Sequence, residues 1–163
     1  MNRLDQMIGR LRTQKAYLDF AIGAINCIPG VVFEIGLGKG RSYDYLRQTC
    51  VGREIYCFDR EIHAPSDVTP DPDHIFIGDF LETIPAAGQM FQGNVALIHA
   101  DFGSTNAVRD ASLAKRLGPL FAPLIIAGGL VISDRRIAVE NAEPLELSGI
   151  STDWPYFVLR AGV

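Results

Sequence analysis

The segment Val31–Tyr45, VVFEIGLGKGRSYDY, decides the fold of this chain. An apolar run contains Glu34, glycines follow at Gly36, Gly38 and Gly40, and a helix-like stretch comes next. Glycine suits a turn that needs positive φ and a backbone that lies directly against a ligand. The free N–H groups of the following helix point to the same place. The segment therefore predicts a strand, a tight turn and a helix that together bind a nucleotide-type cofactor.

The composition limits the classes of protein that the chain can belong to. Its 163 residues are 48% hydrophobic and 21% charged, which predicts one globular domain spanning residues 1–163. A net charge of −4 disfavours long nucleic acid as a partner. No apolar run approaches the roughly 20 residues of a membrane helix, and residues 1–25 carry too many charges for a signal peptide. The three cysteines lack metal-binding spacing and are predicted to be free thiols, which favours a reducing, cytoplasmic location.

A helix is predicted over residues 2–26, because apolar residues recur there at steps of three, four and seven. Its polar face includes Gln14 and Lys15. This face is either solvated or, if the helix leans over the cofactor as a lid, able to meet a ligand. Because the first helix is apolar on one face, association of two copies of the chain stays open.

Strands and helices alternate after Pro29-Gly30. Strands are predicted at Val31–Ile35, Glu54–Asp59, His74–Gly78, Asn94–Ala100 and Gly129–Ser133, with helices at Ser42–Thr49, Phe80–Ile84 and Asn106–Leu117. Leu145–Leu147 and Tyr156–Arg160 are expected to form an antiparallel C-terminal hairpin, and the proline-rich segment Arg60–Asp73 a loop over the ligand crevice. The strands are apolar almost throughout, as in parallel sheets that helices cover on both faces. The predicted fold is thus a doubly wound α/β sandwich.

The glycine-rich segment resembles that of the class I S-adenosylmethionine (SAM)-dependent methyltransferases. In this family, the loop wraps the methionine half of the cofactor and its ribose. The resemblance implies cofactor contacts at the loop positions Glu34, Gly36, Leu37, Gly38 and Gly40. The G-x-G-x-G spacing differs from the G-x-G-x-x-G that dinucleotide-binding enzymes favour.

Two further matches concern the nucleoside half of the cofactor. Asp59 ends the second strand, where a carboxylate can accept hydrogen bonds from both ribose hydroxyls, and Glu61 is the alternative for this role. After the third strand, the resemblance implies that Asp79 meets the adenine amino group and that Phe80 covers the ring. Asp79 as a helix cap and Phe80 as a core residue are the structural alternatives.

The end of the fourth strand lies beside the transferred methyl group in this family, which places His99 and Asp101 there and implies that His99 contacts the cofactor. An acceptor hydroxyl would need a base; His99 is the first candidate, with Asp101 orienting it or acting instead, and His63 is the second. The segment from Ala96 to Asp134 resembles small-molecule methyltransferases, some of which hold Mg²⁺. Here Arg135 fills the position of their asparagine ligand, and its positive charge argues against a metal.

The sequence thus predicts methyl transfer from SAM to a small-molecule acceptor. The motif typical of enzymes that methylate amino groups in nucleic acids, (Asn/Asp/Ser)-Pro-Pro-aromatic, is missing after the fourth strand. A SAM-binding protein without catalysis and an NAD-type dinucleotide-binding protein stay open as alternatives. The acceptor itself cannot be named, because acceptor choice depends on loops and added segments rather than on the fold.

Overall fold

The computed structural model describes residues 1–150 and 153–163. Within these residues, seven strands form one sheet. The strands are β1 (Val31–Ile35), β2 (Ile55–Asp59), β3 (Ile75–Ile77), β4 (Val95–Ala100), β5 (Ile125–Ser133), β6 (Ala142–Pro144) and β7 (Phe157–Ala161). The α-helices are α1 (Arg3–Ala24), α2 (Arg41–Thr49), α3 (Phe80–Phe91) and α4 (Ala107–Phe121).

The sheet has the order β3-β2-β1-β4-β5-β7-β6, with β1 to β5 parallel and β6 and β7 added in antiparallel pairings. The strand order reverses between β1 and β4, and in such sheets ligands bind in the crevice at the carboxyl ends of the strands that flank this point. The predicted doubly wound fold with antiparallel C-terminal strands is confirmed.

Two apolar clusters sandwich the sheet. One contains Phe33, Phe58 and Ile98 together with residues of α3 and α4, and the other contains Val32, Leu97 and Ile132 together with residues of α1 and α2. Every residue of β4 is buried. This two-sided covering explains why the strand reads as a continuous apolar run rather than an alternating one.

Helices α3 and α4 continue past their predicted ends. Helix α3 runs through Pro85 to Phe91, and α4 runs through Gly118-Pro119 to Phe121. A proline inside a helix costs about 3 kcal/mol, but Ile84, Ala87 and Phe91 of α3, and Leu117 and Phe121 of α4, are all buried in the core. The burial of these side chains offsets the cost, so the predicted ends at Ile84 and Leu117 are wrong.

Two strands also begin several residues away from their predicted starts. Strand β5 begins at Ile125 rather than Gly129, and β6 lies at Ala142–Pro144 rather than at Leu145–Leu147. After β6, the backbone N–H of Leu145 still donates a hydrogen bond to the Val158 carbonyl oxygen, at 3.0 Å. The hairpin therefore exists, but its ladder lies three residues earlier.

Only the C-terminal half of α1 packs on the sheet. Its side chains Tyr17, Leu18 and Ala21 are buried, whereas four apolar residues of the first half are exposed: Leu4 (69%), Met7 (48%), Ile8 (37%) and Leu11 (39%). The predicted stripe is real, but the sheet covers only part of it. In the described part of the chain, no helix has the length and apolar character that crossing a membrane requires.

Candidate active site

A cavity of about 560 Å³ opens at the carboxyl ends of β1, β2 and β4, which is the size range of ligand sites. The first half of α1 and the first turns of α4 flank it. Predicted site residues that line it are Gly36, Leu37, Gly38, Asp59, His63, Asp79, Phe80 and Asp101, together with Gln14. Glu34, Gly40, Glu61, His99 and Lys15 are not among its lining residues.

The glycine loop leaves β1 with its backbone facing the cavity. Gly36 (φ +96°) must lack a side chain, because a Cβ there would lie 2.6 Å from the Asp101 carbonyl oxygen. Gly38 (φ +52°) borders open space, so its backbone is accessible to a ligand. Gly40 (φ +78°) instead packs on Val68, which a Cβ would approach to 2.8 Å. The structure therefore gives Gly40 a packing role, and its predicted cofactor contact stays a prediction.

Asp59 projects from the end of β2 into the crevice. Its Oδ2 accepts a hydrogen bond from the Gly38 N–H at 2.8 Å, and its Oδ1 accepts one from the Arg60 N–H at 2.7 Å. A carboxylate has about four lone-pair positions, so two remain for hydroxyl groups of a ligand. The position and the remaining acceptor capacity fit a ribose diol beside the open backbone of Gly38.

Asp79 and Phe80 stand together at the far wall of the cavity. Asp79 caps α3, since its Oδ1 accepts the Leu81 N–H at 2.9 Å, and its Oδ2 pairs with Arg60 at 3.0 Å. Phe80 is buried and also borders the cavity. The capping role and the cofactor role of Asp79 are therefore compatible, and the same holds for the core and cofactor roles of Phe80.

His99 does not reach the cavity. The ring is fully buried, its Nδ1 lies 2.6 Å from Glu34 Oε2, and its Nε2 lies 2.6 Å from the Tyr156 hydroxyl. Burial opposes the charged form of the ring, but the adjacent Glu34 carboxylate outweighs this and raises the pKa of His99. A buried histidine with both ring nitrogens occupied cannot take a proton from a substrate. The geometry thus contradicts the predicted roles of His99 as base and as cofactor contact.

Glu34 belongs to the same buried cluster. Its carboxylate accepts a hydrogen bond from Ser42 in α2 and is bonded to His99, with no exposed surface left. The cluster links β1, α2, β4 and the residue before β7. Glu34 therefore supports the glycine loop from behind instead of contacting a ligand, contrary to the prediction.

Asp101 is the acid that the cavity does expose, at the end of β4. Its Oδ1 accepts a hydrogen bond from Arg10 Nη2 at 2.9 Å, and its Oδ2 accepts one from Gln14 Nε2 at 2.6 Å. Both donors lie on α1, so this helix does lean over the site. Lys15, the other residue predicted to meet a ligand, pairs with Asp19 instead. The sequence offered no sign of Arg10, which looked like one more cation on a solvated face.

Arg135 organises the loop between β4 and α4. Its guanidinium lies 3.0 Å from Asp134 Oδ2, 3.3 Å from Asp110 Oδ2 and 5.2 Å from the centre of the Phe102 ring. The hydrogen bonds to Asp134 are the main reason why the pKa of Arg135 is raised. Residues 1–150 and 153–163 contain no group of three or more potential metal ligands of the His, Cys, Asp or Glu type. The positive charge that lies beside Asp134 and Asp110 is the guanidinium of Arg135.

Comparisons with known proteins identify similar chains. A family model described as S-adenosyl-L-methionine methyltransferase matches residues 1–161. The crystal structure of an S-adenosyl-L-methionine methyl transferase from Silicibacter pomeroyi is 38% identical, has a TM-score of 0.91, and aligns over 98% of this chain and 99% of its own. No curated protein sequence matches.

Two more distant structures share the fold. One is a 1,6-didemethyltoxoflavin-N1-methyltransferase from Burkholderia thailandensis with bound 1,6-didemethyltoxoflavin and S-adenosylhomocysteine (12% identity, TM-score 0.57, 98% of this chain and 80% of that one). The other is an RNA methyltransferase from Salinibacter ruber with bound S-adenosylhomocysteine (15% identity, TM-score 0.53, 90% of both chains). At this identity the likeness concerns the fold alone.

Proposed function

The chain belongs to the S-adenosyl-L-methionine methyltransferase family, and from that premise we propose that it methylates a small molecule. The family establishes an enzyme that uses SAM as its methyl donor. The observation that carries the proposal on the acceptor is the part of the cavity beside Asp101, a concave space between the first half of α1 and the first turns of α4. The net charge of −4 adds support, because it disfavours a nucleic-acid acceptor.

We assign the cofactor to the part of the cavity between the glycine loop and α3. The open backbone at Gly36 and Gly38 would lie against the amino-acid half, Asp59 would accept the ribose hydroxyls, and Asp79 and Phe80 would hold the adenine. When bound, the cofactor supplies an activated methyl group on a sulfonium. The protein then has to hold an acceptor atom in line with that methyl, close enough to react.

Asp101 is the residue we assign to the acceptor side. It is the carboxylate at the end of β4 that borders the cavity, and Arg10 and Gln14 fix its orientation. With one bond to each oxygen, it can still accept a hydrogen bond from an acceptor hydroxyl or amine. It could then orient the acceptor lone pair and receive the proton that the acceptor loses.

Calorimetry with S-adenosylhomocysteine tests the cofactor assignment. Asp59→Ala removes charge-assisted hydrogen bonds worth about 1.5–3 kcal/mol, so the dissociation constant should rise about tenfold or more. The matched control is Glu61→Ala, an exposed acid two residues further on that does not line the cavity. Equal affinity of Asp59→Ala and the wild type would refute the ribose assignment.

The acceptor class needs a separate assay. Formation of S-adenosylhomocysteine should be detectable with members of a panel of small alcohols, thiols and amines, and absent with RNA or protein. Turnover with RNA or protein alone would contradict the proposal on the acceptor and leave the cofactor assignment standing. The predicted cytoplasmic location, the single domain and the possible self-association stay predictions.

A further inference from the structure

The cavity carries a surplus of positive charge, although the chain as a whole is acidic. Four aspartates line it, and each accepts hydrogen bonds from the protein: Asp59, Asp79, Asp101 and Asp110. Five cations line it as well, of which Arg10 and Arg60 pair with two of these acids. Around Lys39, Arg41 and Arg109, the described part of the chain places no carboxylate within 4.0 Å.

Arg109 stands apart from the other two unpaired cations. Lys39 and Arg41 belong to the glycine loop and the start of α2, the part of the cavity that we assign to the cofactor. Arg109 lies in the first turn of α4, where the helix dipole disfavours a positive charge. A cation in that position, exposed and with no carboxylate of the described residues within 4.0 Å, can pair with an anion that comes from outside the protein.

Apolar side chains occupy the cavity walls near Arg109. Met7 and Leu11 are one turn apart on α1, are about half and two-fifths exposed, and border the cavity. Leu113 is one turn after Arg109 on α4 and borders the cavity too, as does the Phe102 ring. Asp101 lies at the end of β4 between these two helices. An apolar wall on each side, a cation and a carboxylate thus surround the same space.

We propose that the methyl acceptor is a small, largely apolar molecule that carries an anionic group such as a carboxylate. Its apolar body lies between Met7 and Leu11 of α1 and Leu113 of α4, and its anionic group pairs with Arg109. The atom to be methylated then points towards Asp101. This inference rests on the proposed function, because it describes the acceptor part of the same cavity.

Two matched fluorescent probes test it. Anilinonaphthalene sulfonate (ANS) and N-phenyl-1-naphthylamine have the same apolar body, and only ANS carries the anionic group. Both are titrated into the protein saturated with S-adenosylhomocysteine, so that the cofactor and its own carboxylate already fill their part of the cavity. Arg109→Gln should weaken ANS about fivefold, as expected for a solvent-accessible ion pair, and leave the uncharged probe within twofold. Leu11→Ser should weaken both probes.

Control variants on the same helices make the outcome specific. Arg116→Gln lies two turns further along α4 and Leu4→Ser lies two turns earlier on α1, both exposed and outside the cavity lining. Neither should change the binding of either probe. The inference is overturned if neither probe binds saturably, if the controls act like Arg109→Gln or Leu11→Ser, or if Arg109→Gln weakens S-adenosylhomocysteine instead. Failure of the proposed function is distinguishable, since it would appear as turnover with RNA or protein alone in the acceptor assay, whatever the two probes do.

Discussion

Replacing Glu34 by glutamine should remove most of the pH dependence of stability near neutrality. His99 and Glu34 form a buried pair at 2.6 Å, and this pair raises the pKa of His99 above its ordinary value of 6.5, with Asp101 and Asp134 adding to the effect. Between pH 6.5 and the folded-state pKa, the native protein holds up to one proton more than the unfolded chain. Stability contributed by the pair is therefore complete below pH 6.5 and declines as the pH rises through the folded-state pKa.

One proton changes the free energy of unfolding by about 1.4 kcal/mol per pH unit. Urea unfolding at pH 6.5, 7.5 and 8.5 should thus show wild-type stability falling by up to that amount per unit. In Glu34→Gln, the carboxylate no longer outweighs burial, the ring stays neutral, and this slope should disappear. Other groups that titrate in the range are shared by the two proteins and cancel in the difference between the slopes.

Tyr156→Phe is the matched control for this prediction. It removes the hydroxyl 2.6 Å from His99 Nε2 and leaves a buried nitrogen unpaired, at a cost of about 1–3 kcal/mol. The free energy of unfolding should fall, and the midpoint of thermal unfolding should drop by roughly 2–4 °C per kcal/mol. The dependence of this free energy on pH should persist, because Glu34 is still present. A wild type without a slope, or an equal slope in Glu34→Gln, would show that the Glu34 carboxylate does not hold a proton on His99.

Three further substitutions test packing and chemistry. Gly118→Ala would place a Cβ 1.8 Å from the Ala138 carbonyl oxygen and should destabilise the protein by about 3 kcal/mol in urea unfolding; a loss below about 1 kcal/mol would mean that α4 sits differently. Gly40→Ala combines a φ of +78° with a contact of 2.8 Å to Val68 and should cost about 1–3 kcal/mol by the same measurement, an unchanged value being the contrary result. Asp101→Asn should lower turnover at least about tenfold without changing calorimetric affinity for S-adenosylhomocysteine, and full turnover would exclude Asp101 from the chemistry.

The sequence was sufficient for the central sheet because its signals are local. The apolar run Val31–Ile35, the glycines after it and the acid at Asp59 each report on a few neighbouring residues, and all agree with one fold. The helix ends were harder to predict. Proline at 85 and the pair Gly118-Pro119 are local stop signals, and contacts made across the core overrode them in both helices.

The site was only partly predictable, since residue type does not reveal what a side chain faces. His99 and Asp101 are two residues apart, yet His99 is buried in the sheet between Glu34 and Tyr156 whereas Asp101 borders the cavity. Tyr156 lies 57 positions from His99, so no local sequence pattern could predict their contact. Arg10 and Arg109 were missed for the same reason, because cations on helices usually face solvent.

The first helix shows most clearly what hydrophobic periodicity can and cannot predict. The stripe from Leu4 to Ile25 stays on one face of the helix, at steps of three, four and seven, and periodicity alone predicts that one surface covers all of it. The sheet ends before the first half of the helix does, so Leu4, Met7, Ile8 and Leu11 stay exposed while Arg10 and Gln14 hold the helix to Asp101. An exposed apolar residue that borders a ligand cavity and does not pack in the core has a role if the bound ligand covers it. Met7 and Leu11 satisfy that condition because they border the cavity, whereas Leu4 and Ile8 do not, and a bound acceptor should therefore protect only the first pair.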